Sequence, residues 1–261
     1  MKANWKIALM CVAAIAMIAC DKKNHNNDDP DDPSGNFVSK VSVTDNSIAE
    51  WENLPAEFVV STVCPEDALQ TALKSAKVYA DKVYINILVE FDPEDITERE
   101  WTPFHVYLNT DNSDATGGYS DQFLDPNADV LLETAVFCQG AAYDYNPGVF
   151  RWWGEVGGEG WNWTEYPSDY YTDGDGLNWG SIVAEGSAPI GHSQIIDGKY
   201  IEIQLLRELI PSPIAGWNAD AFGIGFDIQQ NWSSVGVLPI GEPDENNAAG
   251  WASKLQVRID K

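Results

Sequence analysis

The sequence predicts an all-β chain: an antiparallel β-sandwich with a long aromatic, Gly/Asp-rich loop region. Three observations carry that reading. Short apolar runs alternate with period two and are separated by turn signals, as half-buried strands require. No long run with a 3.6-residue apolar repeat competes with them. The stretch from Phe150 to Trp179 fits neither pattern: nine of its thirty residues are aromatic, six are Gly and six are Asp or Glu.

In chain order, the first segment reads as an export signal. Lys2 and Lys6 precede the apolar run IALMCVAAIAMIA, which is too short to span a bilayer permanently. Its end, MIAC, resembles a bacterial lipoprotein cleavage box, with small Ala19 before Cys20. The resemblance implies a signal over residues 1–19, lipidation of Cys20, and outer-membrane, cell-surface localisation. Residues 20–36 then read as a disordered tether, polar and broken by proline. The acidic residues soon after Cys20 resemble surface-export signals of such lipoproteins. Residues 37–261 form the predicted sandwich, and contact with the membrane is through the lipid alone.

Charge narrows the partners. The formal net charge is −26, and losing Lys2 and Lys6 with the signal takes it to −28. Such a surface repels nucleic acid and anionic headgroups, while it tolerates neutral ligands and attracts divalent cations.

The predicted strands follow. Ser75–Asp92 reads as a hairpin turning at Ala80–Lys82. Phe104–Thr110 carries Phe104, Val106 and Leu108 on one face. Asp129–Cys138 is a strand, and Ser193–Leu206 is a hairpin whose Asp197-Gly198 is the strongest turn signal in the chain. Ala221–Asp227 alternates Phe222, Ile224 and Phe226, and KLQVRID closes the chain.

Val41, Val43, Asp45, Glu50, Trp51 and Pro55 occur in an order that resembles the opening of family 9 carbohydrate-binding modules and related DOMON-like sandwiches. Asn46 stands where that pattern has Gly, and Asn also tolerates the left-handed turn conformation. The hairpin at Ser75–Asp92, the Asp-rich turn LNTDNSDATGG and the strand AFGIGFD extend the resemblance. It implies a glycan-binding sandwich. A haem role, also known in DOMON-like folds, meets an obstacle: all three methionines lie in the signal. Trp51 is expected to plug the core.

Candidate ligand contacts lie in the aromatic stretch. Trp161 and Trp163, two apart, share a face if extended and make a platform for adjacent sugar rings. Tyr166 and Trp179 come next. Trp152 and adjacent Trp153 point to opposite faces, so one faces the core and the other is a candidate contact. Asp111, Asn112 and Asp114 cluster tightly enough for calcium, as do Asp173 and Asp175. Asx and Gly-Asp turns explain the same spacings equally well. Cys64 and Cys138 either pair as a disulfide or stay free.

These features give a lipid-anchored surface protein that binds polysaccharide or oligosaccharide and is stiffened by calcium, with other glycan-uptake proteins as partners. One alternative is a glycoside hydrolase drawing on Glu155, Glu159, Glu165 and Asp169, since that chemistry needs two carboxylates roughly 5–9.5 Å apart. Another is a non-catalytic adhesion or assembly subunit. His105 and His192 read as structural, and no nucleophile motif, P-loop or dinucleotide fingerprint is present.

Overall fold

The computed structural model describes residues 39–142, 148–152, 155–158, 190–192, 195–207, 218 and 220–261. A 3-10 turn, Ala49–Asn53, precedes the strands. These are β1 (Val59–Val63), β2 (Leu73–Asp81), β3 (Tyr84–Phe91), β4 (Trp101–Asn109), β5 (Gly118–Tyr119), β6 (Asn127–Ala128) and β7 (Val130–Cys138), then β8 (Ala141–Ala142), β9 (Gly148–Arg151), β10 (Ile190–His192), β11 (Tyr200–Leu206), β12 (Ala221–Gln230), β13 (Ser233–Leu238) and β14 (Leu255–Asp260). Among the described residues no helix is long and apolar enough to cross a membrane.

The all-β expectation holds. Twelve strands form one sheet in the order β10-β11-β3-β2-β14-β12-β4-β7-β8, with β1 on β2, β13 on β12 and β9 on β7; β5 and β6 pair separately. The two halves are joined through β14 rather than standing as separate sheets. β14 pairs antiparallel with β12 and parallel with β2, at Ile259↔Ala80 and Asp260↔Asp81. The start of β2 meets β13 instead, through the Thr71↔Gly236 bridge and the Ala72 N–H to the Val235 carbonyl at 3.0 Å. The sheet therefore curls. Gly236 makes the close approach possible, because a Cβ there would lie 2.4 Å from the Leu73 nitrogen.

The curl gives both halves one core. Ile85, Ile87 and Val89 of β3 share it with Phe104, Val106 and Leu108 of β4 and Phe222, Ile224 and Phe226 of β12. Register enforces the meeting: Phe226 lies opposite Val106 and Ile224 opposite Leu108. Burying each such side chain contributes about 1.5–3 kcal/mol. A second, smaller cluster gathers Trp51, Val41, Leu54, Tyr79 and Leu88, so Trp51 is the core plug its sequence context suggests. Trp152 is buried, at 4% exposure. Asn46 adopts the left-handed conformation, with φ 55°.

The other face of the β7-β4-β12 region differs from the solvated face expected of alternating strands. Glu133, His105 and Asp227 sit side by side across the three strands, and His105 and Asp227 are buried. His105 Nε2 is 2.8 Å from Glu133 Oε2, and its Nδ1 is 3.9 Å from Asp227 Oδ2, an ion-pair distance. Burial works against charge on the imidazole, but the carboxylates of Asp227 and Glu133 outweigh it and raise its pKa to about 9. His105 is thus structural, as a buried cation between carboxylates.

The disulfide does not form: Cys64 and Cys138 are free thiols. Cys64 follows β1, on the β2 side of the sheet. Cys138 lies opposite Trp101, with β14, β12 and β4 between. The Cys64 thiol instead faces the carbonyls of Pro65 and Gln70, at 3.6 and 3.7 Å.

Candidate functional site

β12 and β13 are joined by two residues, Asn231 and Trp232, since Gln230 pairs with Ser233. A two-residue hairpin loop of this kind needs positive φ at both positions, where Asn-Gly is favoured. Here the angles are 49° at Asn231 and 65° at Trp232. Tryptophan in that region costs about 1–2 kcal/mol of backbone energy. No burial offsets the cost, because Trp232 is 85% exposed.

The turn is tied to a neighbouring loop by Gln230. Its Oε1 accepts from the Thr97 N–H at 2.9 Å, the Thr97 hydroxyl at 3.2 Å and the Glu98 N–H at 2.6 Å, and its Nε2 donates to the Asp95 carbonyl at 3.3 Å. The loop leads through Glu98 and Glu100 into Trp101 at the start of β4. The β4–β12 register ends at Phe104↔Ile228, which brings the start of β4 beside the Asn231-Trp232 turn. A bulge between Thr102 and Pro103 interrupts pairing with β7, which is where a strand tolerates proline. From the other side, the Gln139 and Gly140 N–H groups hold the Glu100 and Arg99 carbonyls at 2.8 and 2.9 Å.

Together Glu98, Glu100, Trp101, Pro103, Asn231 and Trp232 line a shallow, open cleft of about 210 Å³. Drug-sized pockets run roughly 300–1,000 Å³, so this one suits a single ring or the end of a chain. Trp101 is 39% exposed. The cleft offers indole faces beside carboxylate acceptors, a combination that takes a flat apolar ring face edged with hydrogen-bond donors.

None of these residues is among the candidate contacts that the sequence points to. One signal was available: Asn-Trp alone separates two strand-like runs, AFGIGFDIQQ and SSVGVL. The contacts expected at Trp153, Trp161, Trp163, Tyr166 and Trp179 lie outside the described residues, as do Asp173, Asp175 and the lipidation site Cys20.

Asp111, Asn112 and Asp114 are described, and they build a turn. The Asp111 carboxylate accepts from the Ser113 N–H at 3.0 Å and the Thr116 hydroxyl at 2.9 Å, and Asn112 has φ 57°. Nearby, buried Lys254 donates to the carbonyls of Asp125 and Asn127. Burial lowers its pKa to about 8, against the pull of Asp125, Asp114 and Asp129. The chain thus brings its own cation close to these acids. Among the described residues, the acidic atoms that gather within 4.8 Å belong to Asp45, Glu50 and Glu202. Each of the three already accepts a donor: the Ser47 N–H, the Ser42 N–H and the Trp51 indole N–H respectively.

No family model matches the chain, and a search of curated proteins returns no match. The resemblance to family 9 carbohydrate-binding modules rests on the residues quoted for it.

Proposed function

We propose a lipid-anchored protein of the outer-membrane surface that binds polysaccharide or oligosaccharide through exposed aromatic side chains. The observation that supports it is Trp232. Neither packing nor backbone preference accounts for a tryptophan that is 85% exposed at φ 65°, and strain kept in place by surrounding structure is a mark of functional sites. Beside it stand Trp101, Glu98 and Glu100, the groups a sugar ring needs. The Phe150–Trp179 stretch belongs to the same proposal, with Trp161 and Trp163 as a second platform. So does calcium, as a loop stiffener. The anchor rests on the MIAC box at Cys20.

A screen of the chain against soluble and insoluble polysaccharides, reading both retention and release of reducing sugar, tests this. Retention without sugar release is the expected result. Trp232→Ala should then weaken binding by about 2 kcal/mol, roughly thirtyfold. Sugar release would replace the binder by a glycoside hydrolase. Neither signal would leave an adhesion or assembly subunit. A chelator titration that leaves the melting temperature unmoved would remove calcium.

A further inference from the structure

The make-up of the Trp101–Trp232 cleft carries beyond glycans in general to one class of sugar. We propose that it selects glycans with free amino groups, such as a polymer of deacetylated hexosamine, over neutral and acidic ones. This rests on the glycan-binding reading.

The lining holds two carboxylates, two indoles, one amide and a proline, and no basic side chain. The cation closest in sequence is turned elsewhere. Arg99 donates through Nε to the Ile96 carbonyl at 3.1 Å and through a terminal nitrogen to the Pro93 carbonyl, and its guanidinium lies over the Phe137 ring at 4.5 Å. Among the described residues no lysine or arginine forms an ion pair with Glu98 or Glu100. The Glu98 carboxylate accepts the Glu100 N–H at 2.9 Å, a bond that leaves its charge uncompensated.

A neutral sugar is both donor and acceptor, and a site shaped for it mixes the two. This lining is weighted to acceptors and to π faces. A protonated amine brings three donors and a positive charge, which carboxylates bind in short, charge-assisted hydrogen bonds and indole faces attract through their quadrupole. A uronate or sulfate would bring the wrong sign to the two glutamates. The whole chain adds to the discrimination: 41 acidic against 15 basic residues set a field that draws polycations in and repels polyanions.

The test compares three β-linked oligomers of equal length, one of glucosamine, one of N-acetylglucosamine and one of glucose, by calorimetry on the full chain. It is run at mildly acidic pH and low salt, with an oligouronate as the anionic control. The glucosamine oligomer should bind at least about tenfold tighter than either neutral one, with the advantage shrinking as salt rises. Glu98→Gln with Glu100→Gln should remove that advantage. Glu66→Gln with Asp67→Asn, two exposed carboxylates outside the cleft, should leave it. Circular dichroism checks that each variant folds. Equal or tighter binding of the acetylated, glucose or uronate oligomer overturns the proposal and leaves the glycan reading standing. An amine advantage that survives Glu98→Gln with Glu100→Gln also overturns it, because the attraction then comes from elsewhere on the acidic surface. Failure of every oligomer to bind overturns the proposal and the glycan reading together.

Discussion

Trp51 and Trp232 are both tryptophans beside glutamates, put to opposite uses. Trp51 is 4% exposed, packs on Val41, Leu54, Tyr79 and Leu88, and donates its indole N–H to Glu202 at 2.6 Å. Trp232 is 85% exposed, sits on a turn its residue type disfavours, and looks across an open cleft that Glu98 and Glu100 also line. The first arrangement is closed, with the ring packed and its N–H partnered. The second is held in shape by neighbours and leaves its own faces for something else. Aromatic residues near carboxylates do not by themselves mark a binding site; burial and backbone strain separate the two cases.

The difference breaks most visibly by truncation. Trp51→Ala should cost about 3–5 kcal/mol in chemical denaturation, since it opens a cavity and strips Glu202 of its indole donor. Trp232→Ala should stay within about 0.5 kcal/mol of the parent, as exposed positions do. A comparable loss at the two positions would mean that Trp232 is structural after all.

Next in size is the tie beneath the exposed cluster. Gln230→Ala leaves the Thr97 and Glu98 N–H groups without their acceptor and should cost about 2–3 kcal/mol. It should also weaken the ligand more than its distance from the cleft floor suggests, because Glu98 and Trp232 are positioned through it. Unchanged stability would show that water replaces the glutamine without loss.

The closed cluster has a pH signature that sharpens the contrast. Burial, helped by repulsion from Glu50 and Asp45, raises Glu202 to about 7 despite the Trp51 N–H that favours its charged form. A pKa raised on folding means the folded state binds the proton more tightly. The contribution is therefore complete below the ordinary glutamate value of 4.5 and is lost as pH rises through about 7. Its size is on the order of 1–2 kcal/mol once solvent screening is discounted. Denaturation in chelator at a series of pH values should show this slope, and Glu202→Gln should flatten it. An identical slope in the variant would assign the effect to other groups.

How much of this was legible in the sequence follows the same division. Where local pattern and burial agree, reading succeeds: Phe222, Ile224 and Phe226 announce β12, Asp197-Gly198 announces its turn, and Trp51 announces a plug. The β2–β3 turn was read one step early because Asp81 looks like a turn residue. It remains in the strand, and its carboxylate caps the Val83 and Tyr84 N–H groups at 2.8 and 2.7 Å. The cleft was not legible. Its two sides lie far apart in sequence, and Glu98 and Glu100 look like solvated loop. Only register across β4 and β12 brings them to Trp232. The burial of His105 was hidden for a related reason, since alternation along one strand does not say whether the outer face is covered.

The smallest effect tests the strain itself. Among the described residues three turns carry positive φ at two consecutive positions: Gln139-Gly140, with φ 52° and 80°, Asp197-Gly198, with φ 51° and 74°, and Asn231-Trp232, with φ 49° and 65°. Trp232→Gly should stabilise the protein by about 1 kcal/mol, since glycine enters the left-handed region without steric cost, although part of the gain is lost to the freer unfolded chain. Gly198→Ala should cost a similar amount. Nothing lies within 4 Å of a Cβ placed at Gly198, so the change reads backbone energy alone. If both substitutions behave so, Trp232 is held against its own preference, and its stability cost is set against binding. If Trp232→Gly destabilises instead, the indole makes a contact that supports the fold, and the distinction between the closed and open clusters disappears.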